Sequence, residues 1–513
     1  MSNKRKVLQG SASNLVRVLL SMLVSLVLPP FLVSRMAPAE YSAWVLILQL
    51  SAYVNLLDFG LQTAIGKFVA EYDASGDHEA SHHLISTSFT ILAAAACIAC
   101  VVIGAMVWSV PRLFHQMPPA LVPEVRIALL AIGLSTAIAL PFGIFLSTFI
   151  GLQQYFFPTV IATFSRVGSA AALIILLLLH GHLVQLALVM ASFNVAAAAT
   201  QLLGWRRYVK ARVNFSFLLF DRRSAAKLAK YGSVLSIWTV AMFFISGLDL
   251  VIVGHYHYQD TGFYAVANGA ANFMLALVSS VFGPLIPAIS SIQSGTTPSR
   301  IGDLCIKATR YCGLLLCLLG LPLLFGAYPL LSLWVGKRYA AQSALYLQVL
   351  VIGNIVRQLV FPYILVVVAT GKQHLATIAA IAEACVNIAL SIWLVQRIGA
   401  VGVAVGTLVG AFVCVGVHLL VSVRLTQVAI HMNRSRLFFE GLLRPLLTIV
   451  PAFFLYPFWR RLDMLPAQPA ILATWVALTA LIAWRVVLTA DDRSAFLSFV
   501  RRLLYLRLER TKA

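Results

Sequence analysis

The stretch that decides the fold is Glu40-Tyr41-Ser42-Ala43-Trp44, which opens a helix-sized apolar run. Another apolar run opens 220 residues later with Asp260-Thr261-Gly262-Phe263-Tyr264. The same offset relates Gly151-Leu152-Gln153 to Gly371-Lys372-Gln373, and each of these tripeptides follows an apolar run. Three matches at one offset, at equivalent places in the hydropathy pattern, predict a membrane bundle with an internal duplication.

The composition is that of a polytopic membrane protein. Hydrophobic residues make up 61% of the 513 residues and charged residues only 11%. A soluble protein carries about 25% charged residues. The apolar runs are about 18–28 residues long, so each is able to cross a hydrocarbon core of roughly 30 Å as a helix. We therefore predict an all-α polytopic membrane protein with about fourteen transmembrane helices.

The predicted spans form two sets of six, which match the duplication, followed by two more. They lie near residues 15–34, 42–58, 84–108, 125–149, 156–179, 182–204, 231–253, 262–290, 308–333, 342–369, 374–395, 399–423, 440–459 and 468–488. The predicted domains are an N-lobe (1–204), a basic cytoplasmic linker (205–230), a C-lobe (231–423), the last two spans (424–490) and an amphipathic cytoplasmic tail (491–513).

The net charge of +21 reflects topology rather than nucleic-acid binding. Basic residues concentrate at the N-terminus, in the 205–230 segment, in the 424–444 loop and in the C-terminal tail. Short loops rich in Lys and Arg face the cytoplasm, so both termini are predicted to be cytoplasmic. An even number of spans in each repeat predicts two parallel six-helix lobes.

Enzymatic and metal-binding motifs are poorly represented. We find no Walker A motif, Rossmann fingerprint or paired-carboxylate cluster, and the predicted external loops are short. His78-x-x-x-His82-His83, beside Glu79, has helical spacing that suits a metal, but a solvated helix face is the favoured interpretation. Cys97-x-x-Cys100 lies in an apolar span and is expected to be structural. We predict neither an enzyme nor a metal or cofactor site.

Five ionisable residues lie inside predicted spans: Arg17, Arg166, Asp249, Arg357 and Glu383. A charge at the centre of a membrane helix costs at least ~2.5–3.5 kcal/mol, so such groups usually face a cavity or a partner. Under the repeat offset, position 383 corresponds to position 163, one helical turn from Arg166. The two halves therefore carry a deep cation and a deep anion at related positions.

These residues support two interpretations. In the first, Arg166, Arg357 and Arg17 line a hydrated central cleft and bind an anionic substrate group, because guanidinium pairs with phosphate through two hydrogen bonds. Glu383 and Asp249 are then candidates for ion coupling. In the second, an Arg166–Glu383 or Arg357–Glu383 pair only stabilises the helices, and Arg17 extends to the cytoplasmic headgroups.

Several stretches resemble the polysaccharide-export branch of the multidrug/oligosaccharidyl-lipid/polysaccharide flippase superfamily. They are Leu56-Leu57-Asp58-Phe59-Gly60-Leu61 with Lys67-Phe68-Val69-Ala70-Glu71-Tyr72, then Asp249-Leu250-Val251-Ile252-Val253-Gly254 with Gly262-Phe263-Tyr264-Ala265-Val266-Ala267, and Ala369-Thr370-Gly371-Lys372. The resemblance extends over almost the whole chain. Unlike the drug antiporters of this superfamily, the chain has no acid between Leu15 and Ser34.

This resemblance implies a Wzx-type flippase with two lobes in a V shape. Such a protein moves an undecaprenyl-pyrophosphate-linked oligosaccharide, the unit of O-antigen or exopolysaccharide, to the outer leaflet of the bacterial inner membrane by alternating access. Its expected partners are the lipid-linked substrate, membrane lipids, and a polysaccharide polymerase with its chain-length regulator. The alternatives are a small-molecule or drug antiporter and a non-transporting scaffold of a polysaccharide assembly complex.

Overall fold

The computed structural model describes residues 3–209, 216, 219–286, 289, 299–428, 430–452, 454, 468–494 and 497–498. The first half contributes α1 (Asn3–Arg35), α2 (Pro38–Ala52), α3 (Leu61–Ser75), α4 (His78–Leu113), α5 (Val122–Gly151), α6 (Phe156–Leu178) and α7 (Leu183–Tyr208). Short 3₁₀ segments, Tyr53–Asp58 and Pro119–Leu121, precede α3 and α5.

The second half repeats this order with more breaks. It contributes α8 (Arg222–Ser246), α9 (Asp249–Tyr256), α10 (Thr261–Phe282), α11 (Ser299–Phe325), α12 (Ala327–Val335), α13 (Lys337–Gln358), α14 (Phe361–Ala369), α15 (Gln373–Ile398) and α16 (Val401–Val417). A 3₁₀ turn, Tyr258–Asp260, precedes α10, and the π-helical segment His418–Ser422 extends α16 into Val423–Thr426. Beyond it lie Arg434–Arg436, Leu437–Leu443, Arg444–Leu446, Leu447–Ile449, α17 (Gln468–Ile482) and Ala483–Val487.

Twelve stretches of the described chain are long and apolar enough to cross a membrane. They correspond to the two predicted sets of six, so the all-helical membrane class is confirmed. A shorter apolar helix, Ala473–Val487, coincides with the predicted fourteenth span. The predicted thirteenth span, 440–459, lies partly outside the described residues. The total of fourteen therefore stays a prediction, as do the lobe boundaries.

The helix ends refine the repeat. Gln153 and Gly371 both end a helix with positive φ, 58° and 75°, and Gly371 therefore corresponds structurally to Gln153 rather than to Gly151. Gly151 has a different role, because a Cβ there would lie 2.7 Å from the Gly66 carbonyl oxygen where α3 and α5 cross. The Gly-x-Gln match in the sequence is thus displaced by two residues from the structural equivalence.

Residue contacts divide the chain into two compact units. Unit 1 comprises Met1–Gly269, Tyr328–Tyr346 and Ala384–Thr407, and unit 2 comprises Ala270–Ala327, Leu347–Glu383 and Leu408–Ala513. A cluster that includes Phe68, Phe145, Phe149 and Trp205 forms a core of unit 1, whereas Cys317, Leu321, Ala452 and Trp475 form one in unit 2. Close packing of these side chains supplies the attraction that lipid, itself apolar, does not provide.

The linker that joins the halves is tied to α4 where it is described. The Ser86 hydroxyl accepts the Ser216 amide at 3.0 Å, and the Thr87 hydroxyl accepts the Asp221 amide at 2.9 Å. Asp221 in turn caps α8 by accepting the amides of Arg223 and Ser224. These bonds satisfy backbone groups beside the membrane, so hydroxyls buried in α4 fix where the second half begins.

Candidate functional site

A double proline in α1 creates the first element of the site. Pro29 and Pro30 have no N–H to donate to the carbonyls one turn earlier, which belong to Ser25 and Leu26. The Trp334 indole donates to the Leu26 carbonyl at 2.7 Å, and an Arg166 guanidinium nitrogen lies 3.4 Å from the Ser25 hydroxyl. The interruption in α1 therefore leaves the Ser25 and Leu26 carbonyls without an amide donor one turn later, and Arg166 contacts the Ser25 side chain beside them.

Arg166, on α6, is exposed and lines two adjacent open cavities in unit 1. The smaller one, about 230 Å³, is bordered by α1, α2, α6 and α7, and Pro29, Tyr41 and Trp44 lie in its wall. The larger one has a volume of about 560 Å³. Arg166 is the one charged residue that lines either cavity within the described part of the chain.

The larger cavity is lined by neutral polar side chains that surround this single cation. They are Ser51, Asn55, Gln62, Thr136, Asn194 and Gln201. Ser51 Oγ is buried and has no hydrogen-bond partner among the described residues. Asn194 Nδ2 donates to Ser135 Oγ at 3.2 Å. The Gln62 carboxamide packs against Gly143, where an added Cβ would lie 2.6 Å from it. The cavity thus offers many hydrogen-bonding atoms to a ligand.

The amide lining of the cavity was not predicted from the sequence. Asn194, Ala197, Ala198 and Gln201 recur at helical spacing along α7, so the polar pair lies on one face with small residues between them. This pattern was the available signal. A polar stripe beside small residues within a transmembrane helix indicates a face that meets a cavity rather than lipid.

In unit 2, the structure brings Arg357 and Glu383 together. Arg357 Nε donates to Glu383 Oε1, and its Nη1 donates to Asn354 Oδ1 at 3.1 Å. The Glu383 side chain is 1% exposed and the Arg357 side chain 15%. The Cys414 thiol also contacts Glu383. The Arg357–Glu383 pair of the second interpretation is therefore present, and the Arg357 guanidinium contacts a carboxylate of the chain itself.

Asp249, at the start of α9, belongs to a buried polar cluster in unit 1. Its Oδ2 accepts hydrogen bonds from Tyr264 at 3.1 Å and from Thr407 at 3.0 Å. Thr407 Oγ1 also lies 3.1 Å from the Val403 carbonyl and 3.4 Å from Asn387 Oδ1. Asn387 Nδ2 donates to the Ile245 carbonyl at 2.7 Å, which turns its oxygen toward Thr407. Asn387 and Thr407 were not predicted from the sequence, and Tyr264 was used there only as part of the repeat and of the family resemblance.

The remaining candidates from the sequence are Arg17, the histidines near Glu79 and the cysteines. Arg17 lies half-buried in α1. Among the described residues, no group of three or more His, Cys, Asp and Glu side chains has metal-binding geometry, and His83 lies 3.8 Å from Glu79 instead. All seven cysteines are free thiols, including Cys97 and Cys100.

Helices of the two halves meet directly within unit 1. The Gly262 amide donates to Ser42 Oγ at 3.0 Å, and these positions are 220 residues apart. Beside them, Tyr258 donates to the Ala39 carbonyl at 2.8 Å. Contact between equivalent residues is what a twofold relation produces at its axis. The matched pentapeptides therefore contact each other, and both lie at predicted external ends of helices.

Comparison with known proteins agrees with this architecture. Residues 32–344 match the family model described as polysaccharide biosynthesis protein. The uncharacterized membrane protein EpsK of Bacillus subtilis (strain 168) is 22% identical over 503 residues, which cover 96% of this chain and 97% of that protein.

Solved structures of transporters have the same fold. A structure of the lipid II flippase MurJ, in an inward closed conformation, superposes with a TM-score of 0.70 and 13% identity, and covers 92% of this chain and 97% of that chain. An inward-facing multidrug resistance MATE family transporter of the MOP superfamily superposes with a TM-score of 0.60 and 13% identity, and covers 81% and 98%. The fold is that of these solved transporters. The chain belongs to the polysaccharide biosynthesis protein family and has the fold of the MOP superfamily.

Proposed function

We propose that the chain is a flippase that carries an undecaprenyl-pyrophosphate-linked oligosaccharide, a unit of O-antigen or exopolysaccharide, from the inner to the outer leaflet of the bacterial inner membrane. The observation that carries this proposal is the open cavity of about 560 Å³, lined by amides, hydroxyls and Arg166 within apolar helices. A glycan needs such hydrogen-bonding groups to leave water, whereas its polyprenyl tail is able to stay in lipid.

The proposal includes the topology and the transport mode predicted from the sequence. Both termini are cytoplasmic, the chain crosses the membrane fourteen times, and transport occurs by alternating access. The expected partners are a polymerase and its chain-length regulator. Arg166 and Arg17 remain candidates to bind anionic groups of the substrate. Arg357 is better explained as the structural partner of Glu383, because the buried carboxylate already occupies its guanidinium.

Transport is tested with the purified protein in proteoliposomes that contain a labelled undecaprenyl-pyrophosphate-linked oligosaccharide. We expect the label to reach the opposite leaflet, where an added glycosidase or lectin detects it. Deletion of the gene in cells should trap the same lipid-linked glycan in the inner leaflet. A protein that moves no glycan but exchanges drugs for cations would be an antiporter. If deletion stops polymer assembly while glycan still crosses the membrane, the protein is a scaffold.

Asp249 is the carboxylate that we propose for ion coupling. The single Thr407 hydroxyl proton faces three acceptors, namely Asp249 Oδ2, the Val403 carbonyl and Asn387 Oδ1. Ser391 Oγ also lies close to two of them, at 2.9 Å from Asn387 Oδ1 and 3.3 Å from the Val403 carbonyl. Several oxygen atoms thus lie close to the Asp249 carboxylate, and oxygen atoms are the ligands that suit a proton or a hard cation such as Na⁺.

The coupling proposal is tested by Asp249→Asn in the same proteoliposomes. We expect the wild-type rate to rise with an imposed Na⁺ or H⁺ gradient and the rate of the variant to be independent of both. Asp73→Asn, at an exposed acid on α3, is the matched control and should respond like the wild type. A variant that keeps the full response to the gradient would exclude Asp249 from coupling.

A further inference from the structure

We infer that the larger cavity around Arg166 is a sugar subsite that selects a carboxylated monosaccharide of the glycan. In this assignment Arg166 binds the carboxylate of a uronic acid, not the pyrophosphate of the lipid carrier. The inference rests on the proposed flippase function and adds the chemical class of sugar.

The charge of the lining favours a carboxylate. A pyrophosphate that links a prenyl chain to a sugar carries one negative charge on each phosphate. Arg166 is the single charged side chain that lines the cavity among the described residues, so a buried pyrophosphate would keep an unbalanced charge in a medium where charge is costly. One carboxylate balances one guanidinium and matches its two parallel N–H groups.

The neutral lining favours a sugar over a phosphate. Each carboxamide of Asn55, Gln62, Asn194 and Gln201 carries an acceptor oxygen as well as donor N–H groups. Sugar hydroxyls both donate and accept, so they satisfy both ends of an amide. A phosphate diester only accepts, so it is able to bond the amide N–H groups but none of the four amide oxygens. The lining therefore matches a sugar hydroxyl better than a phosphate.

Two further observations support a small polar ligand at this place. Ser51 lines the cavity, and its buried hydroxyl has no hydrogen-bond partner among the described residues. The volume of about 560 Å³ falls in the range, roughly 300–1,000 Å³, of sites that hold one small molecule. The cavity therefore suits one or two sugar residues better than a complete repeating unit.

The experiment uses two probes that differ at one group. These are undecaprenyl-pyrophosphate-linked disaccharides that end in glucuronic acid or in glucose, and the reconstituted full chain is supplied with each. We expect the wild type to move the acidic probe about tenfold faster, as the loss of one charge-assisted bond inside a site implies. Arg166→Gln should slow the acidic probe about tenfold more than the glucose probe and so abolish this preference, and Arg166→Lys should restore part of it.

Variants outside and inside the cavity complete the test. Arg112→Gln is the matched control, because Arg112 stacks on the Trp108 ring away from the cavity, and it should keep the wild-type preference. Asn194→Leu and Gln201→Leu should slow both probes, since both end in a pyranose. Melting temperatures of the purified variants report whether each one is folded.

The outcomes separate the sources of negative charge. Equal slowing of both probes by Arg166→Gln would assign Arg166 to the shared pyrophosphate and overturn the inference, as would a wild type without preference. Binding of methyl glucuronide and methyl glucoside to the purified protein, followed by saturation-transfer NMR, needs no transport. Arg166-dependent binding of methyl glucuronide in a protein that moves neither probe would sustain the subsite and refute the flippase. Absence of that binding would refute the subsite while transport of either probe sustained the flippase.

Discussion

At the scale of single residues, membrane-embedded charges have distinct roles that depend on their partners. Arg357 and Glu383 form an ion pair in unit 2, with Asn354 and Cys414 beside them. Arg357 Nη2 and Glu383 Oε2 nevertheless have no partner among the described residues. Removal of one member of a buried pair leaves the other charge uncompensated, at a cost of about 3–5 kcal/mol. We therefore propose that the pair stabilises the packing of its helices.

Arg357→Ala should accordingly lower the amount of folded protein in the membrane, since it leaves the Glu383 carboxylate without its cation. Glu383→Gln in the same chain should restore most of it, because a neutral amide is cheaper to bury. Fluorescence-detected gel filtration of detergent extracts measures both. Normal protein levels in Arg357→Ala together with lost transport would instead return Arg357 to the substrate site.

At the scale of helices, glycines set how closely neighbours approach. Gly204 on α7 faces the Phe157 ring of α6, and a Cβ at Gly204 would lie 1.8 Å from a ring carbon. Phe157 also stacks near Phe149 and Tyr208, so the ring is held on other sides. Arg166 lies on α6, and Asn194 and Gln201 lie on α7. The distance between these two helices therefore depends on the absence of a side chain at Gly204.

Gly204→Ala should destabilise the protein by about 1–3 kcal/mol, the usual cost of overpacking. Phe157→Leu should relieve much of the effect by removing ring atoms at the clash. Gly104→Ala is the matched control, because a Cβ at Gly104 in α4 meets nothing within 4 Å. Melting temperatures in detergent check all three, and equal values for the two alanine variants would contradict the packing argument.

Ion pairs join the C-terminal segments to α11. Arg310 is 5% exposed and contacts Asp492 at 3.0 Å and Glu440 at 3.3 Å, and Lys307 contacts Asp492 at 2.8 Å. Burial disfavours the Asp492 carboxylate, but hydrogen bonds from Lys307, Thr489 and Tyr311 outweigh that cost and hold its pKa well below its usual value. A carboxyl with a lowered pKa adds stability above its unfolded pKa, about 3.9, and loses it as the pH falls toward the folded value.

Asp492→Asn should therefore lower the melting temperature at pH 7, and its difference from the wild type should shrink as the pH falls below about 3.9. Asp491→Asn, at the exposed neighbouring position, is the control and should have little effect at either pH. If the difference in melting temperature stays constant down to acidic pH, the stabilisation comes from the packing of the side chain rather than from its charge.

At the scale of the whole molecule, the two segments matched by the predicted duplication contact each other. Ser42 and Gly262 occupy the matched pentapeptides and are joined by a hydrogen bond. A Cβ at Gly262 would lie 3.0 Å from Tyr41 and 3.1 Å from Ser42 Oγ, so the two backbones are close here. If alternating access operates, this contact at the predicted external ends must open for the substrate to leave outward.

We expect Ser42→Cys with Gly262→Cys to form a disulfide in a background without the seven native cysteines, because the two positions are within reach. Oxidation should arrest glycan transport, and a reductant should restore it. Ser42→Cys alone should be insensitive to both treatments. A cross-linked protein that transports at the full rate would show that the helices need not separate here.

Much of the fold and part of the site followed from the sequence. The length of the apolar runs and the repeated pentapeptides are sufficient to predict twelve spans in two sets, since a chain in lipid must satisfy its backbone within each helix. The deep charges were also identifiable, because their cost inside a membrane makes each one informative. The motif around Gly151 was misleading in register, because glycine serves both close helix crossing and left-handed turns.

The sequence by itself thus determined the class of protein and the candidates for buried charge, and it predicts a duplication. Only the tertiary structure decided which of these charges is occupied and which is available. Arg357 and Arg166 are both arginines within apolar helices, yet one contacts Glu383 while the other lines an amide-rich cavity. Hydrophobicity depends on residues that are near in sequence, whereas pairing depends on helices that are distant in sequence and packed together. That difference is the physical reason for the division.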